Sequence, residues 1–234
     1  MTLETIFAKF DQFADAPDAV AKMRELVLEL AVRGRLIDAG NGASTAVFDL
    51  SCPFPIPGHW RWSTLSEVAE PCGQKKPDSR FTYVDVGAID NVRGMITDAV
   101  QQLEAADAPS RARKLVQPGS VLYATVRPYL RNIAVVEREF TPPAIVSTAF
   151  AVLHPRSILD VHFLFFWLRS QSFQQEVSER MKGVAYPAIS DSDLWRWRSA
   201  SFAFRAMARS IPLSWSCRFL ATSSSSSWTR TELE

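Results

Sequence analysis

Three short basic segments carry the side chains with the clearest chemical potential in this chain. Lysine and arginine can contact phosphate groups, and arginine can also donate two hydrogen bonds to a guanine edge in the major groove. Tyrosine adds an apolar ring that carries a hydroxyl group. This chemistry is non-covalent recognition rather than bond cleavage. The residues that we predict as contacts are Lys75, Lys76, Arg80, Arg111, Arg113, Lys114, Arg127, Tyr129, Arg131 and Tyr186.

Each of these segments also has a purely structural interpretation. Residues 73–80 form a basic, glycine-containing loop, which suits either a loop that enters a DNA groove or a solvated turn. Residues 111–114 precede a predicted turn, and basic clusters of this kind are common on ordinary surfaces. Proline after Arg127 predicts an extended backbone that would present Arg127 and Arg131 near one surface, although a structural role is equally compatible. Tyr186 is compatible with contact to DNA and with closure of the core.

The sequence lacks the motifs of enzymes that act on nucleic acids. It contains neither a GxxxxGK phosphate loop nor an Asn/Asp-Pro-Pro-aromatic phrase of amino-methylating enzymes. His59, His154 and His162 show no metal-ligand spacing, and the three cysteines form no CxxC pair. Asp191 and Asp193 are predicted to be surface groups rather than a catalytic pair. We therefore predict a non-enzymatic protein with no cofactor and no metal; a small hydrolase is the weaker alternative.

The composition is that of an ordinary globular protein. The 234 residues are 47% hydrophobic and carry a formal net charge of +1. This balance disfavours a nonspecific polyanion binder, whereas a sequence-specific reader needs only a few well-placed polar side chains. The most apolar stretch, residues 161–168, is far shorter than the roughly 20 residues of a membrane helix, and the acidic start does not suit a secretory signal. We predict a soluble, cytoplasmic protein with no membrane partner.

Apolar periodicity and turn residues predict a mixed α+β fold, mainly antiparallel β, with flanking helices and an N-terminal helical segment. Gly34 is placed to end the second helix, and Asp160 to cap a later one. Residues 38–58 are rich in Gly, Ser, Thr and Pro, which predicts a linker. The predicted strands are residues 81–86, 120–126, 132–136 and 145–153, and the predicted helices are residues 2–14, residues 17–32, one that begins after Asp160 and one from Phe173 toward Met181.

The composition changes abruptly after Leu194. Between Trp195 and Glu234 there are six arginines and no lysine, and residues 223–227 are all serine. One explanation is a frameshift near Leu194, because Trp, Arg and Ser codons can become aliphatic codons in a neighbouring frame. The other is a divergent or disordered tail of low complexity. Translation of the gene in its other two frames would distinguish them.

Several short phrases stand in a fixed order along the chain. They are Trp60-Arg61-Trp62, Tyr83-Val84-Asp85-Val86-Gly87, Pro118-Gly119-Ser120-Val121-Leu122, Arg127-Pro128-Tyr129-Leu130, Ser147-Thr148-Ala149-Phe150 and Gly183-Val184-Ala185-Tyr186-Pro187. In this order they resemble a target-recognition domain of the specificity subunit of a type I restriction-modification enzyme. Residues 16–36 are similar to the helical opening of these subunits, so the resemblance covers about residues 1–194.

The resemblance implies a non-catalytic protein that binds one half of a split target in double-stranded DNA. A methyltransferase (modification) subunit and a translocase-nuclease (restriction) subunit would be its partners. The implied division is an N-terminal helical segment, a linker, a DNA target-recognition domain and an atypical tail: residues 1–37, 38–59, 60–194 and 195–234.

The resemblance stops short of one feature of the family. A Pro-rich phrase, a Glu-Gln pair and a long helix should follow the recognition domain, and the sequence after Leu194 contains none of them. Because partner subunits dock on that helix, its absence puts assembly in doubt more than DNA recognition. The alternatives are a protein-interaction module that does not bind DNA and an inactive remnant of a longer, truncated subunit.

Overall fold

The computed structural model describes residues 18–36, 54–57, 60, 62–181, 183 and 187–195. Within these residues, two β-sheets and a set of helices form an α+β fold in which most strand pairs are antiparallel. The fold class predicted from the sequence is therefore confirmed. The predicted helix at residues 2–14 and the atypical tail beyond Trp195 lie outside the described residues.

The strands are short, and most of them are separated by turns or single turns of 3-10 helix. Those turns of 3-10 helix are Val86–Ala88, Ala105–Asp107 and Pro128–Leu130. The strands are β1 Ala69–Glu70, β2 Phe81–Val84, β3 Ile89–Asp90, β4 Met95–Ile96, β5 Gln101–Leu103, β6 Ala112–Leu115, β7 Val121–Ala124, β8 Ile133–Val135, β9 Ala144–Ser147 and β10 Phe150–Pro155.

The helices precede and follow the strands in the chain. They are α1 Ala19–Val32, α2 Leu65–Val68, α3 Val161–Arg169, α4 Gln171–Arg180 and α5 Asp191–Trp195. The side chain of Asp160 accepts hydrogen bonds from the backbone N–H groups of His162 (2.9 Å) and Phe163 (3.0 Å), so this carboxylate caps α3 as predicted. Gly34 follows α1 with a φ of 66°, a conformation that suits glycine.

The strands form a six-stranded sheet in the order β1-β10-β7-β8-β4-β3 and a four-stranded sheet in the order β5-β2-β9-β6. The pairs β4·β8 and β2·β9 are parallel, and the other pairs are antiparallel. β9 leads directly into β10, so the turn between them joins the two sheets. β2, β7 and β9 all run toward this turn, and their last residues, Val84, Ala124 and Ser147, define what is called here the upper end of the sheets.

Strand β7 shows how the sequence builds the layers. Successive side chains in a strand point to opposite faces. Val121 and Tyr123 pack in the cluster that includes the helices, where the rings of Tyr123 and Phe173 lie 5.8 Å apart. Leu122 and Ala124 pack in the cluster between the two sheets. An uninterrupted apolar run fits this position because the strand is covered on both faces.

Two smaller apolar clusters complete the packing. Phe81, Tyr83 and Ile145 lie together on the far face of the four-stranded sheet. Phe54 and Ile56, which fall in the segment predicted as a linker, are buried beside Trp60. The described part of that segment is therefore packed against the fold.

Helix α1 is fastened to α4 by a group of polar side chains. The Glu29 carboxylate accepts hydrogen bonds from the backbone N–H (2.9 Å) and the hydroxyl (2.8 Å) of Ser172, near the amino terminus of α4. Arg33 donates to the same hydroxyl oxygen at 2.9 Å and pairs with Glu29 at 3.2 Å. A carboxylate at a helix amino terminus is favourable because the helix dipole is positive there.

The Glu29→Gln variant should measure this contact, since it keeps the shape of the side chain and removes its charge. We expect the free energy of unfolding to fall by about 1.5 kcal/mol, the lower end for hydrogen bonds to a charged group, because the amide oxygen of glutamine can still accept one of them. Urea unfolding of the variant would be compared with that of Glu139→Gln, which changes an exposed carboxylate. Equal unfolding midpoints for the two variants would contradict the assigned role.

Candidate nucleic-acid interface

Backbone hydrogen bonds at the upper end bring separate basic segments together. The Thr148 N–H donates to the Arg111 carbonyl, and the Thr125 N–H donates to the Ala149 carbonyl, both at 2.8 Å. The turn between β9 and β10 therefore lies between the start of β6 and the end of β7. Phrases far apart in the sequence meet at this end of the fold.

The Arg127-Pro128-Tyr129-Leu130 phrase forms a tight loop above β7. The prediction of an extended backbone was wrong: Arg127 (φ 49°, ψ 54°) and Arg131 (φ 53°, ψ 38°) are both left-handed and flank a 3-10 turn. The Arg127 N–H donates to the Pro187 carbonyl at 2.8 Å, and the Leu130 N–H donates to the Arg127 carbonyl at 3.0 Å. These contacts override the local preference of a residue before proline. The loop leaves Tyr129 51% exposed.

The arginines at this end differ in their surroundings. Arg127 is exposed, while Arg131 is partly covered and lies 3.5 Å from Glu25 of α1. Arg111 is exposed and pairs with Asp85, which follows β2, at 2.9 Å. Exposed ion pairs of this kind are weak, so the guanidinium groups can exchange them for phosphate contacts at small cost.

The turn between β3 and β4 also lies at the upper end of the sheets. The Asp90 carboxylate accepts hydrogen bonds from the N–H groups of Val92 and Arg93, both at 2.9 Å. The Asn91 side-chain amide donates to the Leu130 carbonyl at 2.9 Å. The turn is thereby joined to the loop above β7. In the sequence Asn91 is a polar residue able to bind adenine, but no local pattern places it at this end of the fold.

Arg169, the last residue of α3, supports this turn from below. Its guanidinium donates to the carbonyls of Asn91 (2.8 Å) and Val92 (3.3 Å) and lies over the ring of Phe165 at 5.2 Å. Burial, together with the nearby charge of Arg131, lowers the pKa of Arg169 from its ordinary value, and Asp90 partly opposes the shift. Arg169 is thus a supporting residue that was not predicted from the sequence. Its position in the last helical turn indicated only a favourable interaction with the helix dipole.

Exposed apolar side chains accompany these arginines. Val92, Val126, Tyr129 and Leu130 are all exposed, and they lie on the two neighbouring loops of the upper end. Single exposed apolar residues are common on proteins. Several of them between guanidinium groups on adjoining loops form a surface that suits a partner with both apolar and negatively charged groups.

The other predicted residues lie elsewhere. Lys75 pairs with Asp78 at 2.7 Å, and this hydrogen bond and charge lower the pKa of the Asp78 carboxyl. Lys76 is exposed. Arg80 precedes β2 and so lies at the end opposite Val84, where it donates to Gln102 at 2.8 Å. The Lys75 N–H donates to the Arg113 carbonyl at 2.7 Å, so the start of this segment runs beside β6, whereas Arg80 is separated from the arginines at the upper end.

The second basic segment is divided between surface and core. Arg113 is partly covered and donates to the Ser110 carbonyl at 2.9 Å. Lys114 is only 7% exposed, and its amino group donates to the Phe150 carbonyl and to the Asp191 carboxylate, both at 2.6 Å. In this position the amino group of Lys114 is not available to a phosphate. Tyr186 lies outside the described residues.

Two findings concern other kinds of site. The part of the chain that the structure describes contains no group of His, Cys, Asp and Glu side chains that could hold a metal ion. In the same residues, no helix is long and apolar enough to cross a membrane.

The chain resembles proteins of one kind, although no protein-family model matches it. It is 22% identical over 213 residues to the type I restriction enzyme EcoDI specificity subunit of Escherichia coli, a match that covers 82% of this chain and 46% of that protein. The HsdS subunit from Thermoanaerobacter tengcongensis matches its fold with a TM-score of 0.56 and 35% identity over 65% of this chain and 39% of the other.

A second solved chain gives the same result. It comes from a structure that concerns complex assembly and conformational transition of the type I R-M system, and it matches with a TM-score of 0.56 and 34% identity. The match covers 65% of this chain and 40% of the other. The chain therefore spans less than half the length of each of these proteins.

Proposed function

We propose that this chain binds DNA in a sequence-specific way, because it is a homologue of type I restriction-modification specificity subunits and corresponds to about half of one. The role is non-catalytic, as that of a specificity subunit is. We propose residues 60–194 as the target-recognition domain and residues 1–37 as a helical attachment, joined by residues 38–59. The observation that supports this proposal best is that three of the phrases that carry the resemblance, residues 83–87, 127–130 and 147–150, lie together at the upper end.

We place the DNA against the upper end of the sheets. Arg127, Arg131 and Arg111 provide charge there, and Tyr129 provides an apolar ring with a hydroxyl group. Specific interfaces combine phosphate contacts, which fix the register, with contacts to base edges, which carry the sequence information. Lys75, Lys76 and Arg113 are proposed as contacts at the margin of this group. Arg80 lies at the opposite end and Tyr186 lies outside the described residues, so their contact with DNA stays a prediction.

The proposed partners follow from the same relationship. A methyltransferase subunit and a translocase-nuclease subunit would act at the DNA site to which this chain binds. Helix α1, the described part of the N-terminal helical attachment, contacts α4 and would support their docking. Pulldown of the methyltransferase subunit encoded beside this gene, with this chain as bait, tests that part of the proposal.

The double variant Arg127→Ala, Arg131→Ala tests the DNA site. We expect the affinity for duplex DNA to fall about tenfold, and the slope of log affinity against log salt to fall by about 0.9 for each phosphate that is no longer neutralised. Fluorescence anisotropy across a series of salt concentrations measures both quantities. Arg138→Ala is a matched control, because Arg138 is 58% exposed and follows β8 at the opposite end of the sheet.

A second control separates DNA contact from helix packing. Glu25→Gln breaks the ion pair with Arg131 and keeps the guanidinium group, so it should retain wild-type affinity for DNA. If Glu25→Gln loses affinity as strongly as the double variant, the effect comes from α1 and the proposed site is wrong. Weak binding by the wild type that does not depend on salt would favour a protein-interaction module, for which the exposed Val126 and Leu130 are the specific observation.

A further inference from the structure

The turn from Asp90 to Gly94 is held by several hydrogen bonds to its backbone. The N–H groups of Val92 and Arg93 donate to the Asp90 carboxylate, and the Gly94 N–H donates to the Asp90 carbonyl at 2.7 Å. The carbonyls of Asn91 and Val92 accept from Arg169. Three N–H groups and three carbonyls of the turn thus have hydrogen-bond partners within the protein.

The side chains at the tip of this turn point into solvent. Val92 is 80% exposed, and the side chain of Arg93 is 53% exposed. The Arg93 guanidinium lies 3.9 Å from the Asp90 carboxylate, a contact that steers the side chain without covering it. An apolar side chain exposed to water does not stabilise the fold. Because the turn is rigid, however, little conformational entropy is lost when a ligand covers that side chain.

We infer that this turn is a base-reading element, in which Val92 contacts the methyl group of a thymine in the major groove and Arg93 contacts a neighbouring guanine. The inference rests on the proposed DNA binding and adds residues to it. An apolar tip offers no hydrogen bond or charge to a phosphate, whereas the thymine methyl is the apolar group that a DNA groove exposes. Arginine is the side chain best suited to the O6 and N7 acceptors of guanine.

The position of the turn agrees with this assignment. Asn91 joins it to the Arg127–Arg131 loop through the Leu130 carbonyl, so the proposed phosphate contacts and the tip of the turn belong to one surface. Arg169 is then a positioning residue, because its guanidinium fixes the turn and does not itself face the DNA. In this assignment the Arg127–Arg131 loop contacts phosphates and fixes the register, and the turn at Val92 contacts the bases.

The test uses the full chain and begins with selection of a preferred motif from a pool of random duplexes. Each thymine of that motif is then replaced by uracil, which removes the methyl group and leaves the hydrogen-bonding groups of the base unchanged. For the wild type, we expect one uracil position to weaken binding about fourfold, the effect of one buried methyl-sized group. Val92→Ala should bind the thymine and uracil duplexes equally at that position. Arg93→Ala should lose the preference for guanine at an adjacent position.

Ile158→Ala is the matched control for Val92→Ala, because Ile158 is an exposed apolar residue beyond the lower end of β10. It should respond to uracil as the wild type does. If the wild type selects a motif but Val92→Ala keeps the full response to uracil, the inference is overturned and the proposed function stands. If the wild type selects no motif, sequence-specific binding fails and the inference fails with it.

Discussion

Replacement of Gly94 by alanine is expected to lower the free energy of unfolding by about 2 to 5 kcal/mol, a large part of the roughly 5 to 15 kcal/mol that holds a typical domain folded. Gly94 has a φ of 71°, a left-handed conformation that costs a residue with a Cβ atom about 1 to 2 kcal/mol. An added Cβ would also lie 2.2 Å from Cζ and 2.6 Å from Cε2 of Phe165. Relief of that overlap requires movement of a buried ring in α3, which adds about 1 to 3 kcal/mol.

Two other glycines separate these contributions. Gly87 has no left-handed φ, and a Cβ atom added there would have no neighbour within 4 Å, so Gly87→Ala should be nearly neutral. Gly73 has a φ of 89° and only Leu115 at 4.0 Å, so Gly73→Ala should show the cost of the backbone conformation alone. Thermal and urea unfolding should therefore show the smallest loss of stability for Gly87→Ala, a larger loss for Gly73→Ala and the largest loss for Gly94→Ala. An equal loss of stability for Gly73→Ala and Gly94→Ala would show that α3 adapts without cost.

Replacement of Lys114 by alanine is expected to destabilise the protein by about 3 kcal/mol, the lower end of the range for a broken buried ion pair. The amino group bonds both the Phe150 carbonyl and Asp191, so the variant loses two interactions and the packing of the lysine stem. The lower end applies because the Asp191 side chain is 41% exposed and water can solvate its carboxylate in the variant. Lys114→Met restores the packing and should recover about 1 kcal/mol.

The comparison variant is Lys76→Ala, which removes an exposed lysine and should leave the unfolding midpoint unchanged. Salt-dependent DNA binding of Lys114→Met provides the second measurement, and its slope should match that of the wild type. A stable Lys114→Ala variant with reduced DNA affinity would return Lys114 to the set of phosphate contacts that the sequence predicts.

The elements that could be predicted are those fixed by local chemistry. Strand β7 has an apolar residue at nearly every position and follows a Pro-Gly turn, and its boundaries differ from the prediction by one or two residues. Asp160 caps α3 because a short carboxylate before an apolar run suits the free N–H groups of a first helical turn. Both features depend on residues within one turn of each other.

The features that could not be predicted depend on contacts between distant residues. Lys114 is buried because Asp191, 77 residues later, meets it, and a basic cluster in the sequence contains no sign of that partner. Arg127 is left-handed because Pro187 and the 3-10 turn fix its backbone. The turn at Val92 is fixed by a hydrogen bond from Arg169, which lies on α3, and the sequence around Val92 contains no sign of that contact. The sequence therefore identifies the basic residues but does not predict which of them are exposed and which are buried.

The position of β9 and β10 determines when the fold can form during synthesis. β9 lies between β2 and β6, and β10 lies between β1 and β7, so each sheet has one of these late strands in its interior. A nascent chain that ends before Ala144 therefore carries β2, β6 and β7 with unpaired edges. Pairing over such separations is slow because loop closure precedes any gain in contact energy. Neither sheet can therefore be completed until residues 144–155 have been synthesised.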